Sequence, residues 1–473
     1  MQLDRLLGGV EVLDLRGDPA GTEVTAITHD SRAVILGALF CCVPGALVDG
    51  HAFAADAVAA GASALLCERV LPLEVTQVVV PSVRAAMAPV AAAFFGHPSR
   101  RLAVVGVTGT NGKTTTTHLL AAALRADGRP TDVVGTLSGP RTTPEATELQ
   151  ARLAALADGG TAVVSMEVSS HALVQHRVDA TWFEVGVFTN LSQDHLDYHG
   201  TLDEYFAAKA SLFTPDRVGV AVVNADDAWG RRLLDAVSVP TRPFTLADAA
   251  GLNVGPVSST FRWQGEPVHL RLGGSFNVAN ALAAATAALE LGARPEAIAA
   301  GLSSVVSVPG RFETVEAGQP FTVVVDYAHT PASLEQVLLA ARHAAADRGS
   351  AGDPGRVLLV FGCGGDRDTA KRPAMGEVAS RLADLAVLTS DNPRSEDPAA
   401  IIEAVRQGVV RDEVLVVEPD RRAAIALAVG RARPGDVVIV AGKGHETTQV
   451  TGAVVEPFDD RAVVRAEIER TGR

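Results

Sequence analysis

Residues 102–115, LAVVGVTGTNGKTT, join an apolar run to a glycine-rich turn and the beginning of a helical pattern. The apolar, β-branched part predicts a buried strand, and the turn after it can direct backbone amides and a helix N-terminus at phosphate oxygens. Lys113 can then reach the outer phosphates of a nucleotide, and Thr114 can ligate magnesium. Val107 replaces the first glycine of the common P-loop spacing, so the motif has the shorter GTxGKT form. The predicted nucleotide-binding loop consists of Gly109, Thr110, Asn111, Gly112, Lys113, Thr114 and Thr115.

Further apolar runs follow the same pattern along the chain. They lie at residues 162–168, 185–188, 218–223, 322–325, 357–361, 385–388 and 437–440. Polar segments follow these runs, namely EVSSH, TNLSQDHLDYH, DYAHTP, GCGGDRD, SDNPR and AGKGHE. Because ligands bind beyond the carboxyl ends of strands in open parallel sheets, we expect these segments to meet at a binding site. The predicted fold class is α/β with parallel sheets.

The length of 473 residues exceeds one ordinary domain and indicates about three. Two segments containing glycine and proline, 96–99 and 308–310, suggest the junctions. We therefore predict domains at residues 1–98, 99–309 and 310–473, with the nucleotide-binding loop in the central one.

The formal net charge of −14 argues against a nucleic-acid-binding protein, which needs a basic face to contact the phosphate backbone. The first residues lack the basic and apolar segments of a signal peptide, and no apolar run is long enough to span a bilayer. The four cysteines show neither metal-ligand spacing nor a disulfide framework, which is typical of a reducing compartment. We expect a monomeric cytoplasmic enzyme that binds small molecules.

Lysine is almost absent: of 41 basic residues, only Lys113, Lys209, Lys371 and Lys443 are lysine. If arginine is used wherever a solvated cation suffices, the remaining lysines should mark places where a compact amine does what guanidinium cannot. Lys209 lies in a helical pattern and by itself would be taken for a solvated side chain. A neutral lysine amine can, however, react with carbon dioxide to give a carbamate, an anion that can bind magnesium. The sequence assigns no role to Lys371 or Lys443.

Glu167, at the end of a predicted strand, and His195, in the segment DHLD, offer a carboxylate and an imidazole near the nucleotide-binding loop. Each alone is more often a capping or core residue. Because both follow strands of one predicted parallel sheet, together they favour a magnesium site. The predicted metal ligands are Thr114, Glu167, His195 and Lys209, and the predicted catalytic residues are Lys113, Lys209, His195 and Glu167.

In their order along the chain, these motifs resemble those of the Mur ligases, the muramyl-peptide ligase family. The matching segments are GTNGKTT, TTP at 142–144, MEVSSHALVQHRV, NLSQDHLDYHG, the AAK lysine at 209, PGRFE, DYAHTP, GCGGDRD, DNPR and GKGHE. The match covers essentially the whole chain and is weakest in the first domain, where DSR at 30–32 is the main anchor. The resemblance implies an ATP-dependent amide ligase of peptidoglycan-precursor synthesis, with a UDP-binding first domain, a P-loop central domain and a Rossmann-like third domain.

The resemblance also implies substrate and nucleotide contacts. By similarity, the uridine diphosphate part of the acceptor lies near Ser31 and, in a looser match, near residues 45–47. Lys209 matches the family's carbamylated lysine. Positions that bind the precursor are matched by Thr142, Thr143, Ser169, Gln175 and Arg177. Positions around ATP are matched by Asn280, Arg311 and Asp326.

In the third domain, residues 391–394, DNPR, are the most informative for the amino-acid substrate. Arg394 can hold a carboxylate through two hydrogen bonds, while Asp391 and Asn392 can bind an amine. This suits a substrate with a second amino-acid head group, which meso-diaminopimelate has and lysine lacks, and DNPR accompanies diaminopimelate in the family. The remaining matches in this domain are Pro393, Arg367, Gly442 and Glu446.

The expected reaction uses ATP and two magnesium ions to convert the γ-carboxylate of D-glutamate in UDP-N-acetylmuramoyl-L-alanyl-D-glutamate to an acyl phosphate. The amine of meso-diaminopimelate then attacks it. The alternatives are a lysine-adding ligase of the same family, a folylpolyglutamate synthetase-like ligase, and a nucleotide-gated scaffold that has lost catalysis. DNPR, GKGHE and the DSR-bearing first domain argue against the second, and the intact metal-ligand set argues against the third. Ligands spread over three domains also suggest closure on binding.

Overall fold

The computed structural model describes residues 1–45, 48–255, 257–348 and 354–472. It contains three α/β units in chain order, each built on a mainly parallel sheet. The central strands of these sheets are apolar and buried, as expected when helices cover both faces of a parallel sheet.

The N-terminal unit is a five-stranded sheet with two helices. Its elements are β1 (Asp14–Arg16), β2 (Ala26–Thr28), β3 (Ala38–Cys41), β4 (Ala64–Cys67), β5 (Thr76–Val79), α1 (Ala54–Ala59) and α2 (Val83–Phe94). The strand order is β1-β5-β4-β3-β2, with β1 antiparallel to β5 and the other pairs parallel. Helix α2 begins after Ser82, whose hydroxyl accepts a hydrogen bond from the Ala85 amide, and its apolar side packs on the sheet through Val83, Met87 and Val90.

The central unit contains a six-stranded parallel sheet. Its strands are β6 (Ala103–Thr108), β7 (Thr131–Val134), β8 (Val163–Glu167), β9 (Phe183–Phe188), β10 (Val218–Asn224) and β11 (Thr241–Phe244), in the order β11-β10-β9-β6-β8-β7. Its helices are α3 (Lys113–Ala126), α4 (Ala146–Asp158), α5 (Ser170–Val174), α6 (Leu196–His199), α7 (Leu202–Ala210) and α8 (Ala228–Ala236). A small antiparallel sheet of β12 (Ala250–Val254), β13 (Ser259–Trp263) and β14 (Glu266–Leu270) precedes α9 (Ser275–Glu290) and α10 (Pro295–Ser304). Helices α3, α9 and α10 pack together over one face of the large sheet.

The C-terminal unit has a second six-stranded sheet, ordered β15-β16-β20-β17-β18-β19. The strands are β15 (Glu313–Thr314), β16 (Thr322–Asp326), β17 (Val357–Phe361), β18 (Leu385–Leu388), β19 (Leu415–Val417) and β20 (Val437–Ala441), followed by a hairpin of β21 (Thr448–Thr451) and β22 (Val454–Pro457). The helices are α11 (Pro331–Arg348), α12 (Lys371–Leu382), α13 (Pro398–Arg406), α14 (Arg421–Arg431) and α15 (Asp460–Thr471). Strand β15 is antiparallel to β16, and the remaining pairs are parallel.

The eight predicted strands are all present, each within two residues of its predicted ends. The sheets span residues 14–79, 103–270 and 313–457, inside the three predicted domains, whose exact limits stay a prediction. Fourteen of the described strands were not predicted, namely β1–β5, β7, β11–β15, β19, β21 and β22. Each has five residues or fewer, and β22 is exposed throughout, so no long apolar run marks them. All four cysteines are buried free thiols, and within the described ranges no helix is long and apolar enough to cross a membrane.

Candidate functional site

The nucleotide-binding loop lies between β6 and α3, where the backbone requires two glycines. Gly109 has a φ of +145° and Gly112 a φ of +88°, which residues with a side chain rarely adopt. A Cβ at Gly112 would also collide with the side chain of Asn280 on α9. The Lys113 ammonium donates hydrogen bonds to the carbonyls of Gly109 at 2.8 Å and Thr110 at 2.9 Å, and burial lowers its pKa. The loop carbonyls therefore hold the Lys113 side chain at the N-terminus of α3.

Glu167, the last residue of β8, faces this loop with a fully hydrogen-bonded carboxylate. Thr114 Oγ1 donates to Oε2 at 3.0 Å, and Thr136 donates its amide to Oε1 at 2.8 Å and its hydroxyl to Oε2 at 3.2 Å. Arg311, from the C-terminal unit, donates Nη2 to Thr114 Oγ1 at 3.1 Å. Its buried Nε has no hydrogen-bond partner among the described residues. A carboxylate, a hydroxyl and a guanidinium with a spare donor suit a phosphate chain together with a hard cation.

Lys209, on α7, is only 1% exposed, so it is not the solvated lysine that its helical pattern alone would suggest. Its Nζ donates to the Gly109 carbonyl at 2.8 Å, the same oxygen that accepts from Lys113, and lies 4.5 Å from the centre of the Tyr205 ring. Burial holds the pKa of Lys209 well below its usual value, and the charge of Lys113 adds to this effect. A neutral amine is the form that reacts with carbon dioxide, so this environment favours carbamylation.

Asp194, in the loop after β9, links the central unit to the C-terminal unit. Its Oδ2 lies 3.5 Å from Nε2 of both His195 and His329, and its Oδ1 lies 3.5 Å from Nζ of Lys371. Burial opposes ionisation of Asp194, but its contacts with His329, His195 and Lys371 outweigh burial and hold its pKa well below the usual value. Burial lowers the pKa of His195 to about 3, so this imidazole is neutral near pH 7.

The DNPR segment follows β18 and forms a third group of polar side chains. Asn392 donates Nδ2 to Glu446 Oε2 at 2.7 Å, and its Oδ1 accepts from Lys443 Nζ at 2.9 Å. Arg394 has a φ of +53°, and its backbone is held by the β21–β22 hairpin through bonds of 3.0 and 2.6 Å. An adjacent carboxylate, amide and guanidinium can bind the ammonium and carboxylate of an amino acid.

One cleft of about 670 Å³ lies between the central and C-terminal units. Residues of the nucleotide-binding loop, of the loop that contains Asp194 and of the DNPR segment all line it. The predicted residues that line it are Thr110, Asn111, Gly112, Lys113, Thr114, Thr115, Thr142, Glu167, Ser169, His195, Asn280, Arg311, Asp326, Arg367, Asp391, Asn392, Arg394, Gly442 and Glu446. The predicted residues that do not line it are Ser31, Gly109, Thr143, Gln175, Arg177, Lys209 and Pro393. Gly109 and Lys209 nevertheless lie directly behind Lys113, because both lysines bind the Gly109 carbonyl.

Three of the predicted precursor-binding residues form a hydrogen-bonded cluster behind the cleft wall. Thr143 Oγ1 donates to the backbone carbonyl at the end of β8 at 2.9 Å. Arg177 donates to the Thr143 carbonyl at 3.1 Å and to Gln175 Oε1 at 2.7 Å, and it pairs with Glu145 at 2.9 Å. Glu145 lies 3.8 Å from Arg84 of the N-terminal unit. This cluster therefore joins the N-terminal unit to the cleft wall.

Ser31 begins a short 3-10 helix, Ser31–Ala33, in the N-terminal unit. The nearby His29 contacts the Thr147 hydroxyl of α4 at 2.9 Å, so this helix lies at the boundary with the central unit. Residues 46 and 47 of the looser match lie outside the described residues. A role for Ser31 in UDP binding stays a prediction.

Asp194 and His329 were not predicted as site residues, although they lie in the segments DHLD and DYAHTP, and both line the cleft. Lys371 also lines the cleft, and the scarcity of lysine was the one signal that pointed to it. Asp194 contacts His329 and Lys371 across the boundary between two units. Local sequence patterns cannot predict such a contact.

No three His, Cys, Asp or Glu side chains in the described part of the chain lie close enough to hold a metal ion by themselves. Thr114 and Glu167 are adjacent oxygen donors, whereas His195 makes its polar contact with Asp194 and Lys209 with Gly109. Magnesium commonly keeps several waters and phosphate oxygens as ligands, so a pair of protein oxygens beside a phosphate site fits this ion.

Three family models match the chain in the order of its three units. The model of the Mur ligase family, catalytic domain, matches residues 23–105. The Mur ligase middle domain matches residues 107–288, and the Mur ligase, glutamate ligase domain matches residues 310–444.

Comparisons with individual proteins give the same family. The UDP-N-acetylmuramoyl-L-alanyl-D-glutamate–2,6-diaminopimelate ligase of Streptomyces coelicolor is 47% identical, over 97% of this chain and 95% of that protein. A solved structure of an enzyme with the same name is 32% identical, with a TM-score of 0.67 over 100% of this chain and 99% of that chain. The MurF ligase from Thermotoga maritima in complex with ADP shares the fold at 22% identity, with a TM-score of 0.66 over 95% and 97% of the two chains. The predicted family and its three-domain α/β fold are thus confirmed, and the chain belongs to the Mur ligase family.

Proposed function

We propose that this chain is an ATP-dependent ligase that joins meso-diaminopimelate to the γ-carboxylate of D-glutamate in UDP-N-acetylmuramoyl-L-alanyl-D-glutamate. The printed name of the Streptomyces coelicolor relative describes a 2,6-diaminopimelate ligase acting on this acceptor, and the two proteins align over nearly their whole lengths. The ADP complex of the Thermotoga maritima ligase, which has the same fold, supports ATP as the nucleotide.

The observation that carries the proposal is the shared cleft. Lys113 from the nucleotide-binding loop and Arg394 from the DNPR segment line one cavity, and Lys209 lies behind Lys113 on the same carbonyl oxygen. Two substrates that must react with each other need such a common space, because catalysis of a bimolecular step depends first on bringing the reacting groups together.

The first step forms the acyl phosphate. The γ-carboxylate of the acceptor attacks the γ-phosphorus of ATP, a carboxylate O–P bond forms, and the bond from phosphorus to the leaving oxygen breaks to release ADP. Both reactants are anions, so their approach requires positive charge. Lys113 and the spare donor of Arg311 supply charge at the triphosphate, while Thr142 and Ser169 line the cleft on the side from which the acceptor would approach.

Magnesium would be held by Thr114 and Glu167, with His195 and carbamylated Lys209 as further ligands. The donor chemistry fits: two are oxygens in contact with each other, one is an imidazole kept neutral by burial, and one is a buried amine suited to carbamylation. When bound, the metal would neutralise charge on the phosphates.

In the second step the amine of meso-diaminopimelate attacks the acyl carbon: the C–N bond forms, the bond between the acyl carbon and the phosphate oxygen breaks, phosphate leaves, and the nitrogen loses one proton to solvent. Arg394 and Asn392 would hold the carboxylate at the non-reacting end of the amino acid, and Asp391 and Glu446 its ammonium. Lysine has no second head group to fill these positions. The pocket therefore favours diaminopimelate over lysine as the added amino acid.

The test is ATP turnover by the purified enzyme over a panel of UDP-muramoyl dipeptides and diamino acids. We expect ADP and phosphate release that requires both UDP-N-acetylmuramoyl-L-alanyl-D-glutamate and meso-diaminopimelate, with formation of the tripeptide product. Preference for lysine would overturn the choice of amino acid, use of a folate acceptor would favour the folylpolyglutamate alternative, and turnover without an acceptor would remove the ligase proposal.

Arg394 offers a sharper version of this test. Replacing Arg394 by Met should raise the KM for meso-diaminopimelate by about 10- to 100-fold, because a charge-assisted, two-point contact is lost. The slow reaction with lysine should change little. The matched control is Arg411→Met, which removes an exposed arginine of the same unit that pairs with Glu413 at 3.1 Å.

A further inference from the structure

Lys443 is the least exposed of the four lysines, with none of its surface accessible to solvent, and the ligase mechanism above gives it no task. It lies at the carboxyl end of β20, directly under the amino-acid pocket. Its Nζ donates to Asn392 Oδ1 at 2.9 Å and lies 3.7 Å from carboxylate oxygens of both Asp391 and Glu446. One ammonium thus contacts three of the side chains that face the amino acid.

The contact with Asn392 sets which end of its amide faces the pocket. The Oδ1 atom accepts from Lys443 Nζ and, at 3.0 Å, from the amide of Val450 in the hairpin. Because an ammonium and a backbone amide can only donate, Asn392 must present its oxygen to them. The Nδ2 group therefore points the other way, where it donates to Glu446 at 2.7 Å and retains a second hydrogen for a ligand.

The charge of Lys443 has a separate consequence. Asp391 and Glu446 both line the cleft, and two carboxylates near one partly buried pocket repel each other. A buried cation 3.7 Å from each offsets this repulsion, so the two carboxylates can lie side by side and accept hydrogen bonds from a substrate ammonium. Without that cation, the repulsion between the two carboxylates would be stronger, and they would be less well placed to receive an ammonium.

An arginine would not replace Lys443. The three acceptors surround a single atom, Nζ, whereas a guanidinium spreads its donors over a rigid plane that needs more room. The neighbouring Arg421 is also buried and already pairs with Asp460 at 2.6 Å and donates to the Ala441 carbonyl at 3.0 Å, so a second guanidinium would add to a crowded buried region. Retention of a lysine here, in a chain that otherwise uses arginine, agrees with this geometry.

We propose that Lys443 is a positioning residue for the amino-acid substrate: it orients the Asn392 amide and keeps Asp391 and Glu446 together as an anionic pair that receives the substrate ammonium. Lys443 itself does not touch the substrate. The inference rests on the proposed ligase function. It adds that Lys443 sets the affinity of the pocket for the amino-acid substrate.

The experiment compares steady-state kinetics of Lys443→Met, Lys443→Arg and the control Arg411→Met. For both Lys443 variants we expect the KM for meso-diaminopimelate to rise by about 10- to 100-fold, the range for losing a hydrogen bond from a charged group. The KM values for ATP and for the UDP-muramoyl dipeptide should stay within about twofold, because those sites are formed by other residues. The control should match the unmodified enzyme.

A double-mutant cycle with Asn392→Ala separates positioning from general damage. If Lys443 acts through Asn392, the KM increase of the double variant must be clearly smaller than the product of the two single increases. Full multiplicativity, an unchanged KM in Lys443→Met, or equal losses for all three substrates would overturn the proposal, as would failure of both Lys443 variants to fold. Inactivity of the unmodified enzyme with meso-diaminopimelate would instead reject the proposed function itself.

Discussion

Closure on ligand binding stays a prediction, and the ion-pair cluster around Asp194 offers a test of it. Asp194 belongs to the central unit, whereas His329 and Lys371 belong to the C-terminal unit, and each lies 3.5 Å from the Asp194 carboxylate. Asp194 is 4% and Lys371 5% exposed, and their contact exists only while the two units are together. Replacing Asp194 by Asn keeps the shape of the side chain but leaves the buried ammonium without its counter-charge.

The size of the effect follows from that burial. Removing one partner of a buried ion pair costs about 3–5 kcal/mol, and we take the lower end because the contacts are longer than a direct hydrogen bond. A difference of about 3 kcal/mol shifts the equilibrium between closed and open forms about 100-fold toward the open form, in which Lys371 can be hydrated. We therefore expect Asp194→Asn to lower kcat by a similar factor and to reduce compaction on adding ATP analogue and acceptor.

The assay combines small-angle scattering, with and without ligands, and ADP release. Asp197→Asn is the matched control, since Asp197 lies in the same segment but is exposed. The reasoning would be refuted if Asp194→Asn compacted on ligand addition as fully as the unmodified enzyme and as the control.

Further consequences follow from other buried groups. Lys209→Arg should lower turnover at least about 100-fold, because guanidinium cannot form a carbamate, and turnover of the unmodified enzyme alone should fall when carbon dioxide is stripped from the buffer; full activity of the variant would contradict this. Thr143→Val should destabilise the protein by about 1–3 kcal/mol in chemical unfolding, because two buried backbone groups lose their partner at 2.9 and 3.1 Å, whereas the half-exposed Thr161→Val should cost less. Arg421→Met should cost about 3–5 kcal/mol, since Asp460 is left fully buried and unpaired, and adding Asp460→Leu should recover much of that loss in the melting temperature. No recovery in the double variant would show that the pair is needed for more than its charges.

Local patterns were sufficient for eight of the strands and for the nucleotide-binding loop. The apolar runs of the sequence become β6, β8, β9, β10, β16, β17, β18 and β20, and the polar segments after them meet at the cleft. This works because a strand buried on both faces needs a continuous apolar run, and because parallel strands bring their carboxyl ends to one edge. The remaining strands are too short or too exposed to give that signal: β1–β5, β7, β11, β15 and β19 have two to four residues each, and β22 is exposed throughout.

The state of individual polar groups was not accessible in the same way. The sequence marked Lys371 and Lys443 only through the scarcity of lysine, and Lys209 through that scarcity and its match to the family's modified lysine. It named Asp194 only as part of a segment. Their partners lie far away along the chain: Lys209 binds the carbonyl of a residue 100 positions earlier, and Lys443 binds one 51 positions earlier.

The amino-acid sequence by itself determined the family, the α/β architecture and the residue types that the chemistry requires, since these are written in short motifs and in the spacing of apolar residues. Only the tertiary structure decided which lysines are buried, which carboxylate contacts side chains of another unit, and which way the Asn392 amide points. Burial and charge pairing depend on contacts between segments that are distant in sequence, and such contacts exist only once the chain has folded.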